Sequence, residues 1–312
     1  MGAVSGMLDT FDGLNYVGDL FRITPKEAPF WSMIGGVHGA VPTLSKQFTW
    51  QTIDNAAAAQ PSISETSAAA GQTAAERSRS EVINVCQIAQ YDLDISYRKQ
   101  AAIGNIGGEK ILGNQPVSDE SSLQMDLVME RFVRDAEYSC LQGAYVADTA
   151  VGTASTTRGL KNAITTNTVA AGSAVVTRAM FQEVLREMAD SGAPFKNVVV
   201  FANAFNKQVI TDIYAYAPDS RNVGGVNIRT IETDFGDLGV VYDRHMPTDE
   251  IYLVEISVCK PRFLAVPGKG QVFWREVAAA GASFKYQLYG DYGLEYGPER
   301  WHGSITGTAT SA

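Results

Sequence analysis

Hydrophobic and polar positions change their period several times along the chain. Between Ser118 and Asp148, Leu123, Leu127, Phe132, Ala136, Cys140, Leu141, Ala144 and Tyr145 recur mostly every three to five residues. That is the spacing of one face of an α-helix, and it predicts a helix over 118–148, roughly 40 Å long. Ser118 is a cap candidate, with Asp119 and Glu120 in the first turn, where the helix dipole favours anions. A second helix is expected over 178–191, with Phe181, Val184, Leu185 and Met188 on one face, Thr177 as cap and Gly192 as stop. AFNKQVITDIYAY (204–216) reads as a third. Thr24-Pro25-Lys26-Glu27 has the form of a helix start. Pro29 follows closely, so one or two turns carrying Phe30, Trp31, Met33 and Ile34 are expected before Gly35-Gly36.

Elsewhere the period falls to two. VINVCQIAQYDLDIS (82–96) alternates, with Val82, Asn84, Cys86, Ile88 and Gln90 on one side and Ile83, Val85, Gln87 and Ala89 on the other. It predicts one long strand. NVVVF (197–201) reads as a buried strand, and VNIRTIET, LGVVYD and IYLVEISV as strands between turns over 226–258. Residues 271–305 are β-rich and aromatic. The alternation of helix and strand over 176–265 predicts an α/β unit within an α+β chain. Residues 54–80, DNAAAAQPSISETSAAAGQTAAERSRS, follow neither period, and Ile63 is their one aliphatic residue larger than Ala. Such a segment cannot pack a core of its own, yet it stands between the strand-like Phe48-Thr49-Trp50 and the strand at 82.

Composition narrows the function. The chain has 312 residues, 45% apolar and 19% charged, with a net charge of −9. That is globular composition, and it excludes a generally basic nucleic-acid binder. No run of 18 apolar residues exists to span a membrane, and the N-terminus carries Asp where a secretory signal has Lys or Arg before an apolar block. Cys86, Cys140 and Cys259 are far apart, which argues against a disulfide scaffold, against a zinc site and for a reducing cytosol. His38, His245 and His302 each stand alone, and neither a GxSxG elbow nor a phosphate-cradling GxxxxGK[ST] loop occurs. GGVHG (35–39) and GKG (268–270) read as turns. Asp92 and Asp94 read as solvent-facing acids on a strand. Asp243, Arg244, His245, Asp249 and Glu250 read as a charged loop around Met246-Pro247-Thr248. No catalytic, cofactor-binding or metal-ligating set emerges, and no cofactor is expected. Arg77 and Arg79, flanked by Glu76 and Glu81, fit a rim of ion pairs within the chain or across an interface.

The last residues carry a resemblance. LYGDYGLEYGPERWHGSITG (288–307) resembles the closing segment of tailed-phage major capsid proteins. The matching positions are Gly290, Asp291, Tyr292, Leu294, Glu295, His302, Gly303, Ile305 and Gly307. ITPKEAPFWSMIGG (23–36), TTRGLKNAI (156–164) and the entry to FANAFNKQVITDIY (201–214) resemble further segments of that family in the same order. Asp291 stands where the family has Glu, and Gly293 where it has a Thr-like residue.

The resemblance implies the Hong Kong 97 type capsid fold: an N-terminal arm (1–45), an extended β-hairpin loop (46–103), a peripheral domain with a spine helix (104–175), an axial domain (176–265) and a β-rich return to the peripheral domain (266–312). It implies a non-enzymatic structural protein that self-assembles, as hexamers and pentamers, into the icosahedral head shell around the phage genome. Portal, scaffold or cement proteins and non-specifically packaged DNA would be further partners, and no membrane. The protein would be made in the host bacterial cytoplasm and end in the virion. A soluble α/β enzyme and a bacterial nanocompartment shell are the alternative readings. An extended loop explains residues 54–80, because its packing surface belongs to a neighbouring subunit. The candidates for subunit contact are Trp50, Ile63, Glu76, Arg77, Arg79, Phe30 and Trp31, and Trp50→Ala is expected to weaken assembly more than monomer stability. Some relatives link subunits through a lysine on this loop. None occurs between Gln47 and Arg98 here, so closure is expected to be non-covalent.

Overall fold

The computed structural model describes residues 27–54, 58, 60, 62–70, 76–101, 105–106, 109–110, 119–150, 152–214, 220–223 and 226–311. In chain order the first elements are α1 (Pro29–Met33), β1 (Val41–Thr43), β2 (Gln47–Ile53), α2 (Glu65–Ala70), β3 (Arg79–Val85), β4 (Gln87–Ser96), α3 (Tyr97–Ala101), β5 (Asn105–Ile106), β6 (Glu109–Lys110) and α4 (Glu120–Gln142). Then come α5 (Leu160–Ala163), β7 (Thr168–Ala170), α6 (Arg178–Asp190), β8 (Val198–Ala202), α7 (Ala204–Tyr214), β9 (Ser220–Val223), β10 (Val226–Thr233) and β11 (Gly236–Tyr242). The last are β12 (Glu250–Glu255), β13 (Lys260–Leu264), β14 (Val272–Val277), β15 (Ser283–Glu295) and β16 (Gly303–Thr306). The chain divides into a larger unit (28–89, 135–272 and 290–312) and a smaller one (1–27, 90–134 and 273–289).

The larger unit is built on a seven-stranded mixed sheet in the order β7-β16-β12-β8-β11-β10-β9. β8 lies parallel to β11 and antiparallel to β12. Every residue of β8 and β12 is buried, which is why VVVFA and EIYLVE read as runs and not as alternations. α6 covers the sheet with the four residues its period predicts, and Thr177 Oγ1 accepts from Met180 N as cap. Its approach to β16 demands Gly303, where a Cβ would come within 2.4 Å of Val184 and 2.9 Å of Met188. Beside this sheet, β1 runs parallel to β13, and β13 runs antiparallel to β15, from Lys260↔Glu295 to Phe263↔Tyr292.

Several expectations change here. The short helix expected before Gly35-Gly36 is α1, and Pro29 itself opens it, at a position whose N–H has no helical partner. Thr24 to Lys26 lie outside the described residues. Phe30 and Trp31, expected at a subunit contact, are buried in their own chain. The Phe30 ring meets Phe201 edge-on at 5.5 Å, and Trp31 meets Phe263 at 6.1 Å and Tyr292 at 5.8 Å. The spine helix is α4, about 35 Å long, and shorter than the expected 118–148. It stops at Gly143, where backbone packs on backbone. A Cβ there would lie 2.6 Å from the Thr157 carbonyl, and Gly159 N donates to Gly143 O at 2.8 Å. Asp119 Oδ1 accepts from Ser121 N at its start, while Ser118 lies outside the described residues. The strand expected over 82–96 is two strands that part at Cys86, whose N–H donates to Lys46 O at 2.7 Å. β3 pairs with β2 and β4 with β15, so one alternating run serves two sheets. Within the aperiodic segment, ETSAAA forms the short exposed helix α2, started by Ser64 Oγ accepting from Ser67 N at 3.2 Å. Alanine's helix propensity suffices for such a turn without any amphipathic period.

In the smaller unit, β4 and β14 both join β15. Tyr97 packs edge-on against Phe284 at 4.8 Å, and the Arg131 guanidinium lies 5.0 Å over the Tyr91 ring. Lys99 Nζ meets Glu120 Oε1 at 2.7 Å, and that hydrogen bond holds the Glu120 carboxyl below the usual carboxylate range. Asp92 and Asp94 are exposed on β4, and Asp92 Oδ1 accepts from Gln287 Nε2 at 2.8 Å.

Candidate intersubunit surface

The β2–β3 hairpin pairs in register from Gln47↔Val85 to Ile53↔Arg79. With side chains alternating, one face carries Phe48, Trp50, Thr52, Val82 and Asn84, and the other Thr49, Gln51, Ile53, Glu81 and Ile83. The first face is turned to its own chain. Trp50 Nε1 donates to Gly297 O at 2.9 Å, its ring stands edge-on to Tyr296 at 4.8 Å, and Phe48 stacks beside it at 6.1 Å. Asn84 is fully buried. Its Oδ1 accepts from Arg158 N at 2.8 Å, and its Nδ2 donates to Leu294 O at 2.6 Å. Gly293 belongs to this seat, because a Cβ would lie 2.7 Å from the Phe48 ring and 2.8 Å from Val85 O. The departure from the family's Thr-like residue therefore has a steric cause.

The second face is open. Ile53 is 65% exposed and Ile83 40%, and Ile63, ahead of α2, is 55% exposed. Glu76, Arg77 and Arg79 are exposed. Arg79 Nη1 donates to Gln51 Oε1 at 3.1 Å, and among the described residues no ion pair joins Glu76, Arg77 or Glu81 within the chain. Two grooves border the hairpin. One, of about 550 Å³, lies between Gln51–Asp54 and Pro298–Trp301, and the other, of about 510 Å³, between Glu81–Ile83 and Tyr145, Arg158 and Thr165. The exposed pair Arg300 Nη1–Asp54 Oδ2, at 3.4 Å, crosses the first.

Of the contact candidates, then, Ile63, Glu76, Arg77 and Arg79 lie on open surface. Trp50 lies on the inward face, and Phe30 and Trp31 lie in the core. Ile53 and Ile83 escaped the sequence reading, although the parity of the alternation marks them. They stand opposite in phase to Trp50 and Val82.

The closing motif is structural throughout. His302 is buried, and its Nδ1 accepts from Glu255 N at 3.2 Å while Nε2–H donates to Tyr296 O at 2.6 Å. Burial pushes its basicity down, which fits this neutral ring. Glu295 binds Arg262 at 2.5 Å. Asp291 is buried with one oxygen unpartnered, and burial pushes its pKa up to about 6. The charged loop around Met246-Pro247-Thr248 is also only partly a surface feature. Asp243 and Glu250 are buried, Glu250 with Lys161 Nζ at 2.8 Å and the Tyr252 hydroxyl as partners. Among the described residues no group of three His, Cys, Asp or Glu could hold a metal ion, and no helix is long and apolar enough to cross a membrane.

Comparison with known proteins follows the same line. No curated protein matches the sequence. The chain is similar in structure to the capsid of cyanophage A-1(L), with a TM-score of 0.62 and 13% identity over 96% of this chain and 97% of that one. It is similar to Mycobacterium phage Bobi, with a TM-score of 0.61 and 10% identity over 94% and 95%. The SrpI encapsulin of Synechococcus elongatus PCC 7942 shares the fold, with a TM-score of 0.60 and 12% identity over 97% and 95%. These likenesses show the Hong Kong 97 type fold, which phage capsids and encapsulins share. The SU10 major capsid protein family, however, matches residues 3–309. The chain belongs to the SU10 major capsid protein family: it is a structural, non-enzymatic subunit that builds a phage head shell with identical copies of itself.

Proposed function

We propose that the β2–β3 hairpin and the Ala/Ser-rich segment beyond it are the arm by which one subunit grips the next. The single observation that carries this reading is the hairpin's division into a face seated on its own chain and a face left open. The open face is not a bare polar surface, since Ile53 and Ile83 stand on it with Gln51, Glu81 and Arg79 around them. Isoleucine left in water across a stiff two-stranded ladder is surface that a second copy can cover. Each such contact is moderate, and closure of the shell multiplies them.

In this reading residues 1–45 are the arm, 46–103 the extended loop, 104–175 with 266–312 the peripheral domain, and 176–265 the axial domain. The core formed by α6, β8, α7, β10, β11 and β12 supports the last assignment. Hexamers and pentamers are the capsomers, the packaged DNA is contacted without sequence preference, and portal, scaffold or cement proteins complete the particle. Synthesis takes place in the host bacterial cytoplasm. With no lysine between Gln47 and Arg98, the hairpin and the segment beyond it offer no amine for a covalent link, and closure rests on packing. A ladder of linked subunits on a denaturing gel of purified shells would refute that.

Deleting Asn55 to Thr73 tests the grip. The expected product is soluble, with a circular dichroism spectrum altered only by the loss of the short helix α2, and forms no closed particles by electron microscopy. Loss of folding would mean that the segment serves its own subunit, and normal shells would mean that the grip lies elsewhere.

A further inference from the structure

His302 joins two parts of the larger unit that are distant in sequence. Its ring is fully buried. The amide nitrogen of Glu255, at the end of β12, lies 3.2 Å from Nδ1, and the carbonyl oxygen of Tyr296 lies 2.6 Å from Nε2. A backbone N–H can only donate and a backbone carbonyl can only accept. Nδ1 is therefore the bare nitrogen, and Nε2 carries the hydrogen. Such a ring bridges both main-chain groups only while it is neutral.

The Tyr296 end of the bridge is also the seat of the hairpin. The Tyr296 ring meets Trp50 edge-on at 4.8 Å, and the next carbonyl, that of Gly297, accepts from Trp50 Nε1 at 2.9 Å. Arg158 Nη1 reaches the Tyr296 hydroxyl at 3.3 Å. Further along the same turn, a Glu299 oxygen accepts from the Thr165 and Thr166 amides, each at 3.2 Å, and Asn167 Nδ2 donates to Arg300 O at 2.6 Å and to His302 O at 3.1 Å. Those bonds fasten the far end of the turn. The imidazole fastens the end that lies under Trp50.

We propose that His302 is an acid-sensitive tie, which holds the 296–297 corner under Trp50 while the ring is neutral and frees the hairpin's inward face when the ring takes up a proton. The proton comes from solvent and adds to Nδ1. The ring becomes a cation, and two N–H groups, on Nδ1 and on Glu255, then point at each other. That hydrogen bond is lost, while Nε2–H keeps its bond to Tyr296 O. The ring must leave Glu255, and it draws the corner with it.

The charges around the ring are acidic. The Glu255 carboxylate accepts from the Lys196 and Asn197 amides and the Ser257 hydroxyl, and Glu299 stands on the turn. Both favour an imidazolium, but burial outweighs them and holds the ring's basicity below the ordinary histidine range. A histidine with a lowered folded-state pKa adds stability that is complete above its unfolded value, about 6.5, and is lost as pH falls toward the folded value. The tie therefore holds at neutral pH and fails in acid. It acts within one subunit, and its consequence for the shell rests on the grip proposed above.

Mass spectrometry of the unassembled full-length protein tests this between about pH 7.5 and 5, above the range in which ordinary carboxylates titrate. Exchange of the imidazole C2 hydrogen reads the titration of His302 itself, and hydroxyl-radical labelling reads the exposure of Trp50. His302 is expected to titrate below about 6.5, with Trp50 labelling rising over the same interval. The rise should be roughly twofold or more, as a half-buried indole opens to solvent. In His302→Asn, whose amide oxygen accepts from an N–H without titrating, labelling should stay flat. An equal rise in both proteins would overturn the proposal. Should the variant not fold, the native protein decides alone. A His302 midpoint at or above about 6.5, or a Trp50 rise more than about one pH unit away from that midpoint, would overturn it. Both readouts are internal to the subunit, so they stand apart from the grip, which is tested on shell closure.

Discussion

The seven-stranded sheet and the β2–β3 hairpin follow opposite rules. β8 hides both of its faces, under α6 and α7 on one side and against residues such as Phe30 on the other, so its sequence is apolar without alternation. The hairpin hides one face only, and its sequence alternates. The sheet brings its own core. The hairpin brings half of one and leaves the other face open, the face that the proposed grip gives to another subunit. For a shell subunit the difference is functional, because a region that completed its own packing would have little left to offer a neighbour.

Substitutions sharpen that comparison. The largest loss is expected from Phe201→Ala, which empties a fully buried site and removes the ring that meets Phe30. It should cost about 3–5 kcal/mol in chemical denaturation of the unassembled protein. A cost below about 1 kcal/mol would break the claim that the sheet carries the subunit's stability. Trp50→Ala comes next. It removes the hydrogen bond to Gly297 and the edge contact with Tyr296, and roughly 1–2 kcal/mol should be lost, with shell yield falling in step. The expectation from sequence was that assembly would suffer more than monomer stability; an indole seated on its own chain favours comparable losses. A loss of assembly clearly greater than the loss of stability would support the sequence expectation. Ile83→Asp should move stability least, within about 0.5 kcal/mol, and yet abolish closed particles in negative-stain images. Intact shells from that variant would place the contact on another surface.

Much of the fold was legible locally. α6 follows the four apolar positions that announce it, with its cap at Thr177 and a stop at Gly192, where φ is +80°. β8 is where NVVVF puts it, and the hairpin's alternation has the right phase. The errors share one cause. Phe30 and Trp31 look like exposed aromatics on a short arm, and only Phe201, Phe263 and Tyr292, far along the chain, bury them. Asp243 looks like a loop acid, yet the fold buries it. α4 looks longer than it is because its apolar period runs on past Gly143, where contact with Thr157 and Gly159 stops it.

The order and type of most elements, the lack of any catalytic or metal-binding motif and the closing motif are properties of neighbouring residues, so the chain alone determined them. Which face of the hairpin turns inward, which acids are buried and where the spine helix ends depend on partners distant in sequence. Trp50 and Gly297 are 247 residues apart. Period and propensity follow from the geometry of consecutive residues, whereas burial depends on what else arrives at the same place, and that was decided only when the chain had folded.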